Sequence, residues 1–311
     1  MGIHFLSVQK ALPKKKLTND MLEKMVDTDD EWIRTRTGIR SRYCCDEGET
    51  CVSLACEAAG RAIEKAGIDK NEIGALIVAT SSQDDALPAT ACMVQERLGL
   101  REDMLAFDIS IACTGFLAGL AVAHGLFATL HYRYIVVIGS EKLSGMVDYS
   151  DRETCILFGD GAGAAVIEAS DNPYWQKCWT RGRRDVLYCP LNNDGQSFIS
   201  MKGREVFKFA VTVLRQGIKE ILKESGQSMD DVDFIVCHQA NERIIRHVQK
   251  KFPGHEDKFF INIAELGNTS AASIPIALAD LFASGRLKPG MKILCVGFGA
   301  GLSWNSVLME W

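Results

Sequence analysis

Residues 63–78 read IEKAGIDKNEIGALIV and residues 222–237 read LKESGQSMDDVDFIVC. In each, a charged segment of helical composition runs into a glycine, Gly67 or Gly226, and an apolar residue, Ile73 or Val232, opens a strand six residues later. Gly226 follows Gly67 by 159 residues, and a second pair, YIVVIG ending at Gly139 and KILCVG ending at Gly297, repeats at 158. Two local matches at nearly one offset imply two similar halves of about 150 residues. The boundary is expected between residues 168 and 169, giving halves 1–168 and 169–311. ALIVAT (75–80), RYIVVIG (133–139), FIVC (234–237) and KILCVG (292–297) are short apolar runs rich in β-branched residues, as in strands covered on both faces. Amphipathic segments lie between them: in VFKFAVTVLRQGIKEILKESG, Val206, Phe209, Ala210, Val213, Leu214 and Ile218 keep the 3.6-residue period. The pattern predicts a layered α/β fold, and with no Pro/Ser-rich linker at the midpoint the halves should share one body.

Composition narrows the function. Hydrophobic residues at 47% and charged residues at 24% are those of a globular domain. A net charge of −5 disfavours a general nucleic-acid or anionic-membrane binder, so any acidic partner requires a local basic patch. The most apolar stretch, 116–130, is short of the roughly 20 residues of a bilayer span and contains His124, and the first ten residues, MGIHFLSVQK, lack the features of a signal peptide. Eleven scattered cysteines point to free thiols in a reducing cytoplasm. Cys44, Cys45, Cys51 and Cys56 lack CxxC spacing and do not read as a zinc site.

Four segments carry chemistry. In AFDISIACTGFLAGL (106–120) a strand-like run ends at Cys113 and a helix rich in small residues follows. A thiol at a helix N-terminus is favoured as thiolate, although one more buried core cysteine is an equal reading of this segment alone. In FIVCHQANERII (234–245), His238 stands at the carboxyl end of a buried strand, beside Gln239 and Asn241. In ELGNTSAASIPIAL (265–278), capping of the helix that begins near Ala271 accounts for Thr269 or Ser270 but less well for Asn268. Cys113 lies 26 residues before Gly139 and Ala271 lies 26 before Gly297, so the two turns occupy equivalent places and should face one another. VGFGAGLSW (296–304) is a Gly-rich turn between strands, suited to aiming a backbone N–H into a site. GDGAGAAVIE (159–168) reads as a tight turn into a strand.

Taken in order, Cys, His, Asn and Gly-rich turn resemble the thiolase-fold condensing enzymes, specifically the β-ketoacyl-acyl-carrier-protein synthase III family that starts fatty-acid synthesis. The likeness spans the chain: DTDDEWIRTRTGIRSR (27–42), ACTGF (112–116), SDRETCILFGDGAGA (150–164), HQAN (238–241), GNTSAAS (267–273) and GFGAGLSW (297–304). It implies a five-layered α-β-α-β-α sandwich. It also implies a decarboxylative Claisen condensation of an acyl-CoA primer with malonyl-acyl-carrier protein. Cys113 would then be the acylated nucleophile with a lowered pKa, and His238 and Asn268 the donors to the malonyl thioester. The N–H groups of Cys113 and Ala300 would form the oxyanion hole. By the same resemblance Thr28, Trp32, Arg36, Arg152, Gly203, Phe207 and Asn241 form the CoA site, with Trp32 and Arg152 sandwiching the adenine. Leu87, Leu143 and Phe158 would shape the acyl pocket, Leu87 from across a homodimer. Lys208, Arg243, Arg246 and Lys250 would dock the acidic carrier, the last three from one side of a helix. No metal, redox cofactor, nucleic acid or membrane is implied, and the setting is cytoplasmic. Leu87 stands where acetyl-preferring members often carry an aromatic residue, Ala300 where Gly is frequent, and Asn305 where Gly usually follows Trp304. A degradative thiolase is disfavoured because Gly-Asn-Thr-Ser replaces its histidine turn, leaving Cys295 as strand core. A hydroxymethylglutaryl-CoA synthase is disfavoured because the TSSQ segment at Ser81 offers no glutamate. The remaining rivals are a specialised-metabolite relative that uses an unusual acyl group or transfers an acyl group without decarboxylation, and a carrier-protein-binding scaffold with a dead site.

Overall fold

The computed structural model describes residues 1–190 and 197–311. The first half contributes strands β1 (Gly2–Ala11), β2 (Ile73–Ala79), β3 (Leu105–Ile109), β4 (Tyr134–Glu141) and β5 (Gly161–Ser170), in the sheet order β1-β5-β4-β2-β3. The second half contributes β6 (Tyr174–Thr180), β7 (Phe234–Cys237), β8 (Phe259–Phe260), β9 (Lys292–Gly299) and β10 (Ser303–Glu310), in the order β8-β7-β9-β10-β6. The two orders are the same once each half is numbered from its own first strand. Pairing also matches: β2 runs parallel to β3 and β4, as β7 does to β8 and β9, while β4–β5 and β9–β10 are antiparallel. The chain crosses between sheets after Ser170 and before Tyr174, two residues beyond the boundary expected at 168.

Among the described residues seven helices have eight residues or more, α1 (Asp30–Thr37), α2 (Cys51–Ala66), α3 (Thr90–Leu98), α4 (Gly115–Leu130), α5 (Gly203–Ser225), α6 (Glu242–Gln249) and α7 (Ser273–Ala283), and all but α1 make the remaining layers. The repeat is explicit at α2 and α5, which end on Gly67 (φ 65°) and Gly226 (φ 68°) in the left-handed conformation that glycine adopts at least cost. In the first half Ile73 does open the next strand; in the second β7 starts at Phe234, two residues after the buried Val232. Helices α4 and α7 lie between the sheets. Phe116, Leu117 and Leu120 of α4 pack with Ile274 and Leu278 of α7, Ile77 of β2 and Val307 of β10 in one central core. A second core joins α2 and α3 to the outer face of the first sheet, and a third joins α5 and α6 to the outer face of the second. These layers are the α-β-α-β-α sandwich that the sequence resemblance implies. Helical structure from Ala112 to Leu130 is long and apolar enough to cross a bilayer, but its apolar residues fill the central layer instead.

Candidate active site

Three chain turns meet at the end of the central layer. The strand before Cys113 ends at Ile109, earlier than expected, and a 3-10 turn, Ala112–Thr114, precedes α4. Ala112 has φ 49°, and its counterpart Ser270, 158 residues on, has φ 47°. Both are sparsely populated for residues with a Cβ, which is the kind of local strain that tertiary packing must hold in place. The turn 112–114 packs directly on the turn 270–272, so the two halves of the repeat face one another as their spacing implies. The third turn is Gly299–Gly301. A Cβ on Gly299 would lie 2.9 Å from the backbone nitrogen of Cys113, so only glycine lets β9 end so close to this thiol. Thr114 ties the arrangement together, its hydroxyl donating to the Ile111 carbonyl at 3.0 Å and sharing a 2.8 Å hydrogen bond with Ser303.

Cys113, His238, Asn268 and Ala300 all line one cavity of about 1280 Å³. His238 follows the last residue of β7, and its N–H donates to the Val296 carbonyl at 2.8 Å. Its ring meets Phe298 edge-on with centroids 5.4 Å apart, and its buried Nδ1 has no hydrogen-bond partner. Burial pushes the imidazole from 6.5 down to about 3, so it is neutral throughout the physiological range. The unfolded chain binds a proton here that the folded chain refuses. Stability should therefore fall as pH drops below about 6.5 towards 3, and denaturant midpoints measured over that interval will show it.

Asn268 is fixed by its backbone, which donates to the Leu157 carbonyl (2.7 Å) and accepts from Gly159 N–H (3.0 Å). Its side-chain oxygen accepts from Ser270 N–H at 2.9 Å. Neither Thr269 nor Ser270 caps a helix through its hydroxyl, and the Asn268 side chain instead closes a local turn two residues ahead. That bond uses Oδ1 and leaves the amide Nδ2 as the donor.

Cys113 departs from expectation. Burial pushes its thiol up to about 12, outweighing the opposing pull of the Ser270 side chain; Glu141 adds repulsion and the backbone N–H of Cys113 a weaker pull downward. The helix-terminal position alone does not lower this pKa, because the thiol precedes α4 by a 3-10 turn and sits in a low-dielectric site. Glu141, at the end of β4, was not visible as a site residue because YIVVIGSE reads as an ordinary buried strand. Its fully buried carboxylate accepts from Ser81 N–H (3.1 Å) and Ser82 Oγ (2.5 Å). The TSSQ segment therefore does have a glutamate against it, brought from another strand.

The other expected residues divide. Trp32, Arg36, Leu143, Phe158, Gly203 and Phe207 line the same cavity, as do Asn241 and Arg243. Trp32 carries two guanidinium groups, Arg36 at 4.3 Å and Arg152 at 5.1 Å from its ring, and Arg152 also donates to the Asp27 carbonyl at 3.1 Å. Arg152 thus stacks on Trp32 itself, and it does not line the cavity; nor does Thr28, whose buried hydroxyl lacks a partner. Leu87 is 86% exposed and lies outside the cavity of a single chain. Arg243, Arg246 and Lys250 do not act as one stripe. Arg243 faces the main cavity beside Phe207, whereas Arg246 pairs with Glu242 at 3.0 Å and opens on a neighbouring cleft with Arg34 and Arg40. Lys208 and Lys250 are exposed and outside both cavities. Lys202 and Arg204, at the start of α5, line the cavity mouth and had no motif to mark them.

Comparison with known proteins decides the family. The family model described as 3-oxoacyl-[acyl-carrier-protein (ACP)] synthase III matches residues 107–179, and its C-terminal companion matches residues 222–311. The chain is 43% identical to β-ketoacyl-[acyl-carrier-protein] synthase III of Clostridium acetobutylicum, over 100% of this chain and 99% of that one. The chain belongs to the β-ketoacyl-acyl-carrier-protein synthase III family. Among solved structures, the 3-oxoacyl-[acyl-carrier-protein] synthase III of Aquifex aeolicus VF5 superposes with a TM-score of 0.94 at 41% identity, covering 100% of both chains. The priming β-ketosynthase of the R1128 polyketide pathway gives 0.92 at 32% identity, covering 99% of this chain and 96% of that one. The synthase III family sets the reaction class as an acyl-transferring condensation, and the thiolase fold agrees with it.

Proposed function

We propose that Cys113 takes an acyl group from acyl-CoA as a thioester and that His238 and Asn268 then receive malonyl-carrier protein. The observation that carries this reading is the convergence of Cys113, neutral His238 and the Asn268 amide on one cavity. A neutral imidazole and an amide can each donate one hydrogen bond without adding charge. That suits them to a thioester oxygen that becomes an enolate as carbon dioxide leaves. The nascent carbanion attacks the acyl carbon on Cys113, and the tetrahedral oxygen is held by the N–H groups of Cys113 and Ala300. The thiolate leaves, and 3-oxoacyl-carrier protein departs. Thioester chemistry suffices for every step.

Trp32, Arg36, Gly203, Phe207 and Asn241 support a CoA path from the surface to Cys113, all on the cavity wall. In this reading Arg152 and Thr28 join at the nucleotide end, with Arg152 moving off Trp32 to admit the adenine. Leu143 and Phe158 bound the acyl group, and exposed Leu87 completes the pocket of a second copy in a homodimer. The substrates place the reaction in the cytoplasm. Carrier docking falls to Lys208 and Arg243 with the mouth residues Lys202 and Arg204, while Arg246 and Lys250 extend the basic face. Arg243→Glu should raise KM for malonyl-carrier protein at least about tenfold and leave the acylation rate from acyl-CoA within about twofold, a split that steady-state and single-turnover kinetics will read. The overall reading is tested by supplying a panel of acyl-CoAs with malonyl-carrier protein. Carbon dioxide and 3-oxoacyl-carrier protein in equal amounts support it, and the best primer identifies the acyl class. Acyl transfer without carbon dioxide release would instead favour a specialised-metabolite acyltransferase.

A further inference from the structure

The largest fully buried side chain among the described residues is a charged one. Arg42 has no accessible surface, and no carboxylate among those residues pairs with it. Burial draws its pKa from 12.5 down to about 10, so it is still a cation at neutral pH. An unpaired buried cation is costly, and an apolar chain of similar volume would fill the space at less cost. Arg42 lies in the short strand Ser41–Cys44, which pairs with Lys15–Thr18. Its Nη1 donates to Oδ1 of Asn19, just past that second strand, at 2.8 Å, and lies 3.5 Å from the Leu17 carbonyl oxygen. Its Nη2 reaches across to the Ile156 carbonyl at 2.5 Å, and its Nε has no partner.

The segment that Arg42 grips is the one that grips Asn268. The Leu157 carbonyl and the Gly159 N–H make the two backbone bonds of Asn268, at 2.7 and 3.0 Å, and Phe158 between them bridges to it in parallel register. The stem of Arg42 lies against both sides of this joint. A Cβ on Gly159 would sit 3.0 Å from Arg42 Cβ, and a Cβ on Gly267 would sit 3.1 Å from it. Past Gly159 the segment is tied to the same strand again. Asp160 N–H donates to the Tyr43 carbonyl at 2.8 Å, and the Asp160 carboxylate accepts from Cys45 N–H at 2.7 Å. Arg42 anchors the other end.

We propose that Arg42 is a positioning residue for the condensation: by holding the Ile156 carbonyl and packing between Gly159 and Gly267, it sets the segment from which Asn268 hangs and so aims Asn268 Nδ2 at the malonyl thioester. This rests on the reading of Asn268 as a donor in the second half-reaction. Arg42 makes no hydrogen bond to the Asn268 side chain and does not line the cavity, so it acts through the backbone of residues 156–159. A planar fork suits this task because its donors point in fixed directions at two acceptors on separate segments, whereas an apolar chain would let them slide past one another. Precision matters here because a catalytic group misplaced by about 1 Å can lose roughly 10²-fold in rate. Ile156, Leu157 and Phe158 also line the cavity, so a test must separate the aim of Asn268 from the shape of the wall.

A double-mutant cycle on the second half-reaction makes that separation. The chain is first acetylated from acetyl-CoA, and discharge of the adduct by malonyl-carrier protein is followed in a single turnover. Asn268→Ala is measured against the unaltered chain; if it discharges as fast, the reading of Asn268 fails and not the positioning alone. Given that loss, Arg42→Met should lower the rate at saturating malonyl-carrier protein by at least about tenfold and leave the half-saturating concentration within about twofold. Made in the Asn268→Ala chain, the same substitution should cost less than about twofold, because no donor is left to aim. Arg42→Lys keeps the cation and the stem but not the fork, so it should lose less than Arg42→Met, and it enters the same cycle if Arg42→Met does not fold. A folded Arg42→Met chain discharging at the original rate, or a loss of equal size with and without Asn268, would overturn the proposal.

Discussion

A Cys113→Ala chain is expected to form no acyl adduct from any acyl-CoA and to lose condensation by roughly 10⁴-fold or more. The effect is large because the thioester on Cys113 splits one difficult carbon–carbon bond formation into two easier steps, and no neighbouring group can replace it. Ten other cysteines do not provide a substitute: Cys237 and Cys295 are sealed in strands of the second sheet, and Cys51 is buried at the start of α2. Cys189 lines the outer part of the same cavity, and its adduct, if formed, would be separated from that of Cys113 by peptide mapping. The fold should survive, because alanine at this position removes one sulfur from a cavity wall and leaves no void in the core. Equal thermal midpoints for the two chains would confirm that the loss is chemical.

Asn268 gives the second large effect, and two substitutions separate its two roles. Its Oδ1 holds Ser270 N–H at 2.9 Å, and its Nδ2 is the proposed donor to the malonyl thioester. Asn268→Asp keeps the first and replaces the donor with a carboxylate, which repels a developing enolate. Condensation is expected to fall by roughly 10²–10³-fold, with acylation of Cys113 nearly unchanged. Asn268→Ala removes both roles. It should cost the same in condensation and, in addition, about 1 kcal/mol of stability through the lost hydrogen bond to Ser270 N–H. If Asn268→Asp slows acylation as much as condensation, the donor belongs to the first half-reaction and the assignment is wrong.

Much of this was legible in the chain itself, and for identifiable reasons. The paired glycines Gly67 and Gly226 end helices because only glycine takes the left-handed C-cap cheaply, so the repeat survives in local sequence even where side chains have diverged. His238 is legible because a polar residue at the end of an apolar strand has few structural uses, and Cys113 and Asn268 because each stands in the turn that leads into a central helix. What escaped was non-local. Glu141 is embedded in a strand that reads as core; pairing of β4 with β2 brings its carboxyl to Ser81, and packing of the 270–272 turn brings Ala271 N–H to it. The high pKa of the Cys113 thiol is a property of burial between two halves of the chain, whereas a local motif conveys only the favourable helix terminus. Positive φ at Ala112 and Ser270 is unmarked because neither residue type signals it. Helical spacing sets Arg246 with Arg243, yet Arg246 pairs with Glu242, four residues before it, and lines a different cleft.

The central claim, that Cys113 carries the primer and a decarboxylated malonyl unit collects it, is tested most directly by intact-protein mass spectrometry. The chain is incubated with each of a panel of acyl-CoAs, and malonyl-carrier protein is then added. The account predicts a mass gain equal to one acyl group, mapped to Cys113, that disappears as 3-oxoacyl-carrier protein forms. No adduct from any acyl-CoA, or an adduct on another residue, would contradict it.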